Sequence, residues 1–325
     1  MTATYRGGEP VAAIERSGFT ESLHRGSVAV TDPSGARTAA VGDADRAVFP
    51  RSSNKPMQAL AMLRAGWEPA SEADLAIAGA SHRGEPFHIE RARSVLAHAG
   101  LGEEHLQCPP DLPGDPDARN AVVAAGGGPR RVYMNCSGKH SGMLAACAAA
   151  GWDPGTYRDP EHPLQRLIAE TVEELTGESV AATGVDGCGA PVLAVSLTGL
   201  ARAFARLVEA PEGTPERRVA DAMRANPILV DGTRGPDHRA MSALPGLLAK
   251  GGAEGVHVLA VPGVGAAAVK IDDGGGRAST PVALRALTAL GGLAVPEDAK
   301  PEVDALLWPE VLGGDRPVGR LRPLL

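Results

Sequence analysis

The chain has 325 residues, 43 % of them hydrophobic, and a formal net charge of −7. That length buries a full core, the negative balance without a basic run argues against a nucleic-acid binder, and no stretch approaches the eighteen apolar residues of a membrane span. The start, MTATYRGGEP, lacks the apolar segment of a secretory signal, and four scattered cysteines make no disulfide framework, so a reducing cytoplasm is the default location.

Residues 9–16 and 22–31 alternate and carry β-branched side chains, which predicts two strands. DPSGAR (32–37) is a turn, and 38–43 a third strand. A helix is predicted from Pro56 to Ala65, closed by Gly66. The short apolar run 74–81 is compatible with a buried strand. A helix follows from Glu85 to Ala99, then a loop rich in Pro, Gly and Asp from Cys108 to Arg130. RVYMN (131–135) is a candidate strand, and 137–150 a helix ending at Gly151. Further helices are predicted near 163–176, 193–209 and 214–225. Strands Gly255–Val261 and Ala266–Asp272 precede a last helix at about Thr280–Leu290. Strands at both ends and helices between them are neither a βαβ alternation nor a repeat. The simplest packing is one composite α+β domain over 1–325, its sheet assembled from both chain ends, with a helical lobe.

RSSNKPMQ (51–58) sets Ser52 and Lys55 three residues apart, hence on one face of a helix that starts here. Ser53 is a candidate N-cap, and Pro56 falls in the first turn, where it costs little. A serine hydroxyl becomes a nucleophile when a base takes its proton. A lysine serves once burial or a neighbouring cation lowers its pKa. S-x-x-K at a helix start is the pattern of penicillin-recognising serine enzymes. Chance and ordinary capping also produce it.

SHRGEPFH (81–88) puts Ser81 and His82 after the apolar run, as a functional pair or as plain capping. NCSGKHSGM (135–143) is the densest polar cluster: Cys136, Ser137, Lys139, His140 and Ser141 stand at a helix start. Gly138 and Gly142 there permit close backbone approach. Cys136 is a candidate thiolate or metal ligand, although no CxxC or HxxxH spacing marks a zinc site. VDGCGAP (185–191) presents Asp186 and Cys188 in a glycine turn. Lys250 opens KGGAEG, and Lys270 lies on the next strand, so either can be a second site lysine. His24 is most simply a half-buried strand residue.

In this order, RSxxKPxQ, SHxGEP, NCSGKHxGM, DGCGxP and KGGAEG resemble the Rhizobium-type (class 3) L-asparaginases, over nearly the whole chain. The resemblance implies a β-lactamase- and glutaminase-like fold, an antiparallel sheet flanked by helices. It also implies hydrolysis of L-asparagine to L-aspartate and ammonia by a homodimer. Carried over, Ser52 with Lys55 is the first Ser–Lys pair, and Ser81 with Lys250 the second. Arg51, Asp186 and His140 fall on the substrate side. Cys136, Lys139 and Cys188 are implied zinc ligands, tied to affinity rather than to the chemical step. Ser53, the second serine of SSNK, stays a minor candidate. Two rivals remain: another serine amidohydrolase of this fold (a glutaminase or a penicillin-recognising enzyme), and a non-catalytic zinc- or amino-acid-binding protein.

Overall fold

The computed structural model describes residues 5–325. Strands β1 (Glu9–Arg16) and β2 (Phe19–Thr31) form a hairpin. Its two-residue loop has Ser17 at φ 51° and Gly18 at φ 82°, the positive-φ pair that matches the twist of antiparallel strands. Strand β3 (Arg37–Val41) adds to β2, and the short β4 (Ala47–Val48) leads into the first helices. These are α1 (Lys55–Arg64), α2 (Glu72–Ala78), α3 (Pro86–His98), α4 (Pro116–Ala124), α5 (Ser137–Ala150) and α6 (Pro163–Thr176). Strands β5 (Ala182–Val185) and β6 (Pro191–Ser196) then precede α7 (Leu197–Glu209), α8 (Pro215–Ala225), α9 (Pro227–Asp231) and α10 (Pro236–Ala243). The chain returns through β7 (Leu248–Gly251), β8 (Val256–Val261) and β9 (Gly265–Ile271), then α11 (Ser279–Ala289), α12 (Lys300–Leu307), β10 (Glu310–Gly313) and β11 (Arg316–Pro323).

The main sheet runs β10-β11-β1-β2-β9-β8-β7, with β3 also on β2. All its pairings are antiparallel. Both chain ends therefore build one sheet, as the sequence predicts. Strand β8 is buried at every position and β9 at all but Lys270, because α7 and α11 both pack on them. A second, three-stranded sheet is β4-β6-β5. Helix α1 is buried from Lys55 to Met62 and α5 from Ser137 to Cys147; a helix enclosed all round belongs inside the molecule. Both carry candidate site residues in their first turns. No helix among the described residues is long and apolar enough to cross a membrane.

Four expectations change. The run 74–81 is not a strand: Ser71 and Asp74 form a reciprocal capping box and start α2. RVYMN holds a single 3₁₀ turn, Arg131–Tyr133. The loop 108–130 contains α4, capped by the Asp115 carboxylate on the backbone N–H groups of Asp117 and Ala118. The helix placed at 193–209 begins only at Leu197, since residues up to Ser196 complete β6.

Candidate active site

The RSSN segment forms a 3₁₀ turn, Arg51–Asn54, that feeds α1. Arg51 enters it at φ 52°, a left-handed conformation that costs a non-glycine residue about 1–3 kcal/mol and clusters at functional sites. The turn directs Arg51 Nε onto Asp186 Oδ1 at 2.7 Å, which links the RSSNK and DGCG turns. Ser53 is not the N-cap. Asn54 holds that position without a side-chain bond, and Ser53 Oγ donates to the carbonyl of Lys250 at 2.9 Å. The hydroxyl of Ser53 is thereby committed to joining α1 to β7.

Ser52, Ser81, His82, Asn135, Lys250 and Gly251 line one cleft of about 380 Å³. Lys55 lies beneath it, 1 % exposed. Its Nζ donates to Ser81 Oγ at 3.0 Å and to the carbonyl of Ala80. Among the described residues it has no hydrogen bond to Ser52, so the expected first pair is not a direct one. Burial pushes its pKa down to about 8, with the Lys250 and Lys139 charges acting the same way against the opposing pull of Cys136. Lys250 does not bond Ser81 either; its Nζ donates to the Gly251 carbonyl at 2.7 Å. It nevertheless lines the cleft, whereas Lys270 sits in a separate groove with Tyr5, Phe49, Arg51 and Glu254. Lys250 is thus the lysine placed beside the two serines.

His82 is a tie in the scaffold. Its Nδ1 accepts the Gly84 N–H at 3.1 Å, so its Nε2 donates to Ser137 Oγ at 2.8 Å. Ser137 Oγ in turn donates to the Val132 carbonyl. Burial, with His88 and Lys55 nearby, holds the ring neutral.

Behind the cleft lies the cysteine cluster. Lys139 Nζ donates to Cys188 Sγ at 3.0 Å, and Cys136 Sγ donates to Asn135 Oδ1 at 3.1 Å. Cys136 is held well below the ordinary thiol range, first by a hydrogen bond with Cys188 and then, against burial, by Lys55 and Lys139. Cys188 is raised by the same Cys136 contact and by burial. Burial opposes charge on Lys139, but the two thiols outweigh it and raise its pKa. His140 Nδ1 meets the Tyr157 hydroxyl at 2.6 Å, and its Nε2 is buried with no partner among the described residues; burial lowers this imidazole to about 4. His140 therefore lies inside the cluster and does not line the cleft.

Among the described residues no three His, Cys, Asp or Glu side chains are grouped to hold a metal ion. A site here needs the Lys139 amine as third donor beside two thiols, one already shifted toward thiolate. Soft sulfur with nitrogen is a donor set that suits zinc, but Lys139, whose pKa is raised, must lose its proton before it can ligate.

Sequence reasoning missed Asp237, His257 and Thr280, which also line the cleft. Asp237 follows the Pro of GPDHRAM and passes for an ordinary first-turn acid. His257 is a single polar residue in the apolar strand VHVLAV. Neither has a motif around it.

Two solved structures share a general likeness with the chain. A β-lactamase from Mycobacterium bovis is 17 % identical, with 82 % of this chain and 92 % of that one covered and a TM-score of 0.38. Mglu, in its tris and glutamate form, is 16 % identical, with 88 % of this chain but only 62 % of that one covered and a TM-score of 0.43. No curated protein matches. The model of the L-asparaginase II family matches residues 12–323, nearly the whole chain, and the protein belongs to that family of asparaginase-type amidohydrolases.

Proposed function

We propose that the protein hydrolyses L-asparagine to L-aspartate and ammonia through a serine ester, with Lys55 as the base. The observation that carries this reading is Lys55 itself, a buried lysine lowered to about 8 and hydrogen-bonded to a serine in a cleft that holds a second serine. Evolution-neutral packing would favour an apolar side chain there, because an isolated buried ammonium is costly.

In this mechanism Ser52 attacks the side-chain amide carbon. Its turn is strained at Arg51, and its hydroxyl has no protein hydrogen bond among the described residues, which leaves it available. Lys55 takes the proton, directly or through Ser81, and Ser81 passes it to the departing ammonia. Water then releases aspartate along the reverse proton path. Arg51 and Asp186, fixed on each other, would offer a cation and an anion to an amino-acid zwitterion from the turn that carries Ser52, although Arg51 itself lines the neighbouring groove. Cys136, Lys139 and Cys188 would hold a zinc ion, which would supply a positive charge beside the Arg51–Asp186 pair; Lys139 would have to give up its proton to ligate it. Metal analysis is then expected to find zinc in the purified protein and none in Cys188→Ala; zinc retained by the variant contradicts this ligand set.

The 3.0 Å hydrogen bond to Lys55 favours a second reading, in which Ser81 is the nucleophile. Acid-quenched enzyme mixed with L-asparagine separates the two. The account expects an aspartyl adduct on the peptide carrying Ser52, lost in Ser52→Ala. An adduct on the Ser81 peptide selects the second reading, and no adduct on either serine opposes both.

A pH dependence follows. Lys55 acts as a base only when neutral, and its pKa is lowered to about 8. The value of kcat/KM is therefore expected to climb with pH through about 8 and level off above it. A profile already flat between pH 6 and pH 9, measured at ~1 pH-unit steps, removes Lys55 from the base role.

A further inference from the structure

A buried network at one wall of the cleft has no part in the mechanism above. Asp237, in the first turn of α10, is 2 % exposed, and His257, on β8, is 1 % exposed. Asp237 Oδ1 lies 2.8 Å from His257 Nε2, an ion-pair approach without hydrogen-bond alignment. Asp237 Oδ2 accepts the Gly251 N–H at 2.8 Å and stands 3.6 Å from Lys250 Nζ. On its far side His257 Nδ1 meets Thr280 Oγ1, on α11, at 3.0 Å. A second carboxylate, Asp231, accepts the Asp237 N–H at 3.0 Å and is itself engaged by Arg83. One carboxylate thus joins α10, β7 and β8, and reaches α11 through the histidine.

Stability alone is a weak reason for this arrangement. Strand β7 is already secured by its ladder to β8, and apolar side chains of similar volume usually replace buried ion pairs without loss. The contacts instead converge on Lys250. Its ammonium has three N–H donors. One goes to the Gly251 carbonyl, and the Asp237 carboxylate at 3.6 Å is too far for a tight hydrogen bond but close enough to balance the charge. Burial alone would raise the Asp237 carboxyl, yet His257 and Lys250 outweigh it and keep it ionised. Lys250 is therefore held in a fixed place while donors remain for the cleft.

We propose that Asp237, oriented by His257 and Thr280, is the positioning residue for Lys250 and holds its ammonium in the cleft beside Ser52 and Ser81. The inference rests on the serine–lysine reading of this cleft. It predicts a specific pattern of non-additivity, because a residue that acts only through Lys250 has nothing to act on once Lys250 is gone.

The test is a cycle of Asp237→Asn, Lys250→Met and the double variant, with kcat and KM for asparagine hydrolysis and a thermal melt for each. Lys250→Met is expected to lose about 10²-fold or more in kcat/KM, Asp237→Asn about 10-fold or more, and the double variant no more than Lys250→Met alone. Losses that multiply in the double variant overturn the proposal, as does full activity in Asp237→Asn. A fully active Lys250→Met also overturns it, and traces the fault to the role given to Lys250 rather than to Asp237. Should Asp237→Asn fail to fold, Thr280→Val replaces it in the same cycle. It removes only the hydroxyl that orients His257, and the account expects a several-fold loss that disappears in the Lys250→Met background; a loss that persists there overturns the proposal.

Discussion

Replacing Lys55 by Met is expected to lower kcat by about 10²–10⁴-fold, the usual worth of a positioned base, while leaving the fold intact. The two effects are argued together. The side chain of Lys55 is fully enclosed, and burial is the main reason its pKa falls to about 8. A group held in that state destabilises the native protein whenever it carries its proton, so a methionine of similar length relieves a cost. The Ala80 carbonyl and the Ser81 hydroxyl each lose a donor, which returns roughly 1 kcal/mol per unmade hydrogen bond. The melting temperature is therefore expected to stay within a few degrees of the parent, or to rise. Steady-state kinetics and a calorimetric melt on the same sample check both halves. A variant that loses activity only because it unfolds would make Lys55 structural, and a variant that keeps kcat would remove it from the reaction.

The second large effect concerns Gly138. An alanine methyl at this position would stand 2.4 Å from the carbonyl oxygen of Ile77 and 2.6 Å from its Cγ1. Neither atom can swing away, because the oxygen is backbone in α2 and the helix is buried there. In an open helix, Gly→Ala stabilises by about 1 kcal/mol. Here the overpacking term, typically about 1–3 kcal/mol, is expected to exceed it. Gly138→Ala should melt several degrees lower and should lose activity as well, since any shift of α5 carries Cys136 and Lys139 with it. A higher melting temperature with full activity would show that α2 and α5 have slack between them.

The sequence carried these two features unequally. The glycines of NCSGKHSGM announced a close approach, and Gly138 against Ile77 is that approach. Helices with strong end signals were also legible. Helix α5 stops at Gly151 with φ 68° and α6 at Gly177 with φ 70°, where only a residue without Cβ sits comfortably. Thr214 caps α8 through its hydroxyl. The run 74–81 went wrong because a short apolar segment has no period to distinguish strand from helix. Its capping box, Ser71 with Asp74, was the better signal. The C-terminal strands β10 and β11 are hard to read because β10 is almost wholly exposed and β11 alternates only over its last four residues, Arg320–Pro323.

For the site, spacing gave neighbours but not partners. Ser52 and Lys55 share a turn, yet the lysine crosses to Ser81, 26 residues away in sequence. That contact depends on where the segment after α2 passes the start of α1, which no local pattern encodes. The same holds for Arg51 and Asp186, which lie 135 residues apart. Asp237 and His257 were invisible for a further reason. Neither segment carries a motif; the antiparallel pairing of β7 with β8 sets His257 opposite Gly251, and the packing of α10 on β7 brings Asp237 to Lys250.

The most direct test of the central claim is ammonia release from L-asparagine by the purified protein, with Ser52→Ala measured alongside it. The account predicts steady release by the parent protein and a loss of about 10²-fold or more in the variant. Release that is undiminished in both Ser52→Ala and Ser81→Ala, or no release at all with zinc supplied, would contradict a serine–lysine amidohydrolase in this cleft.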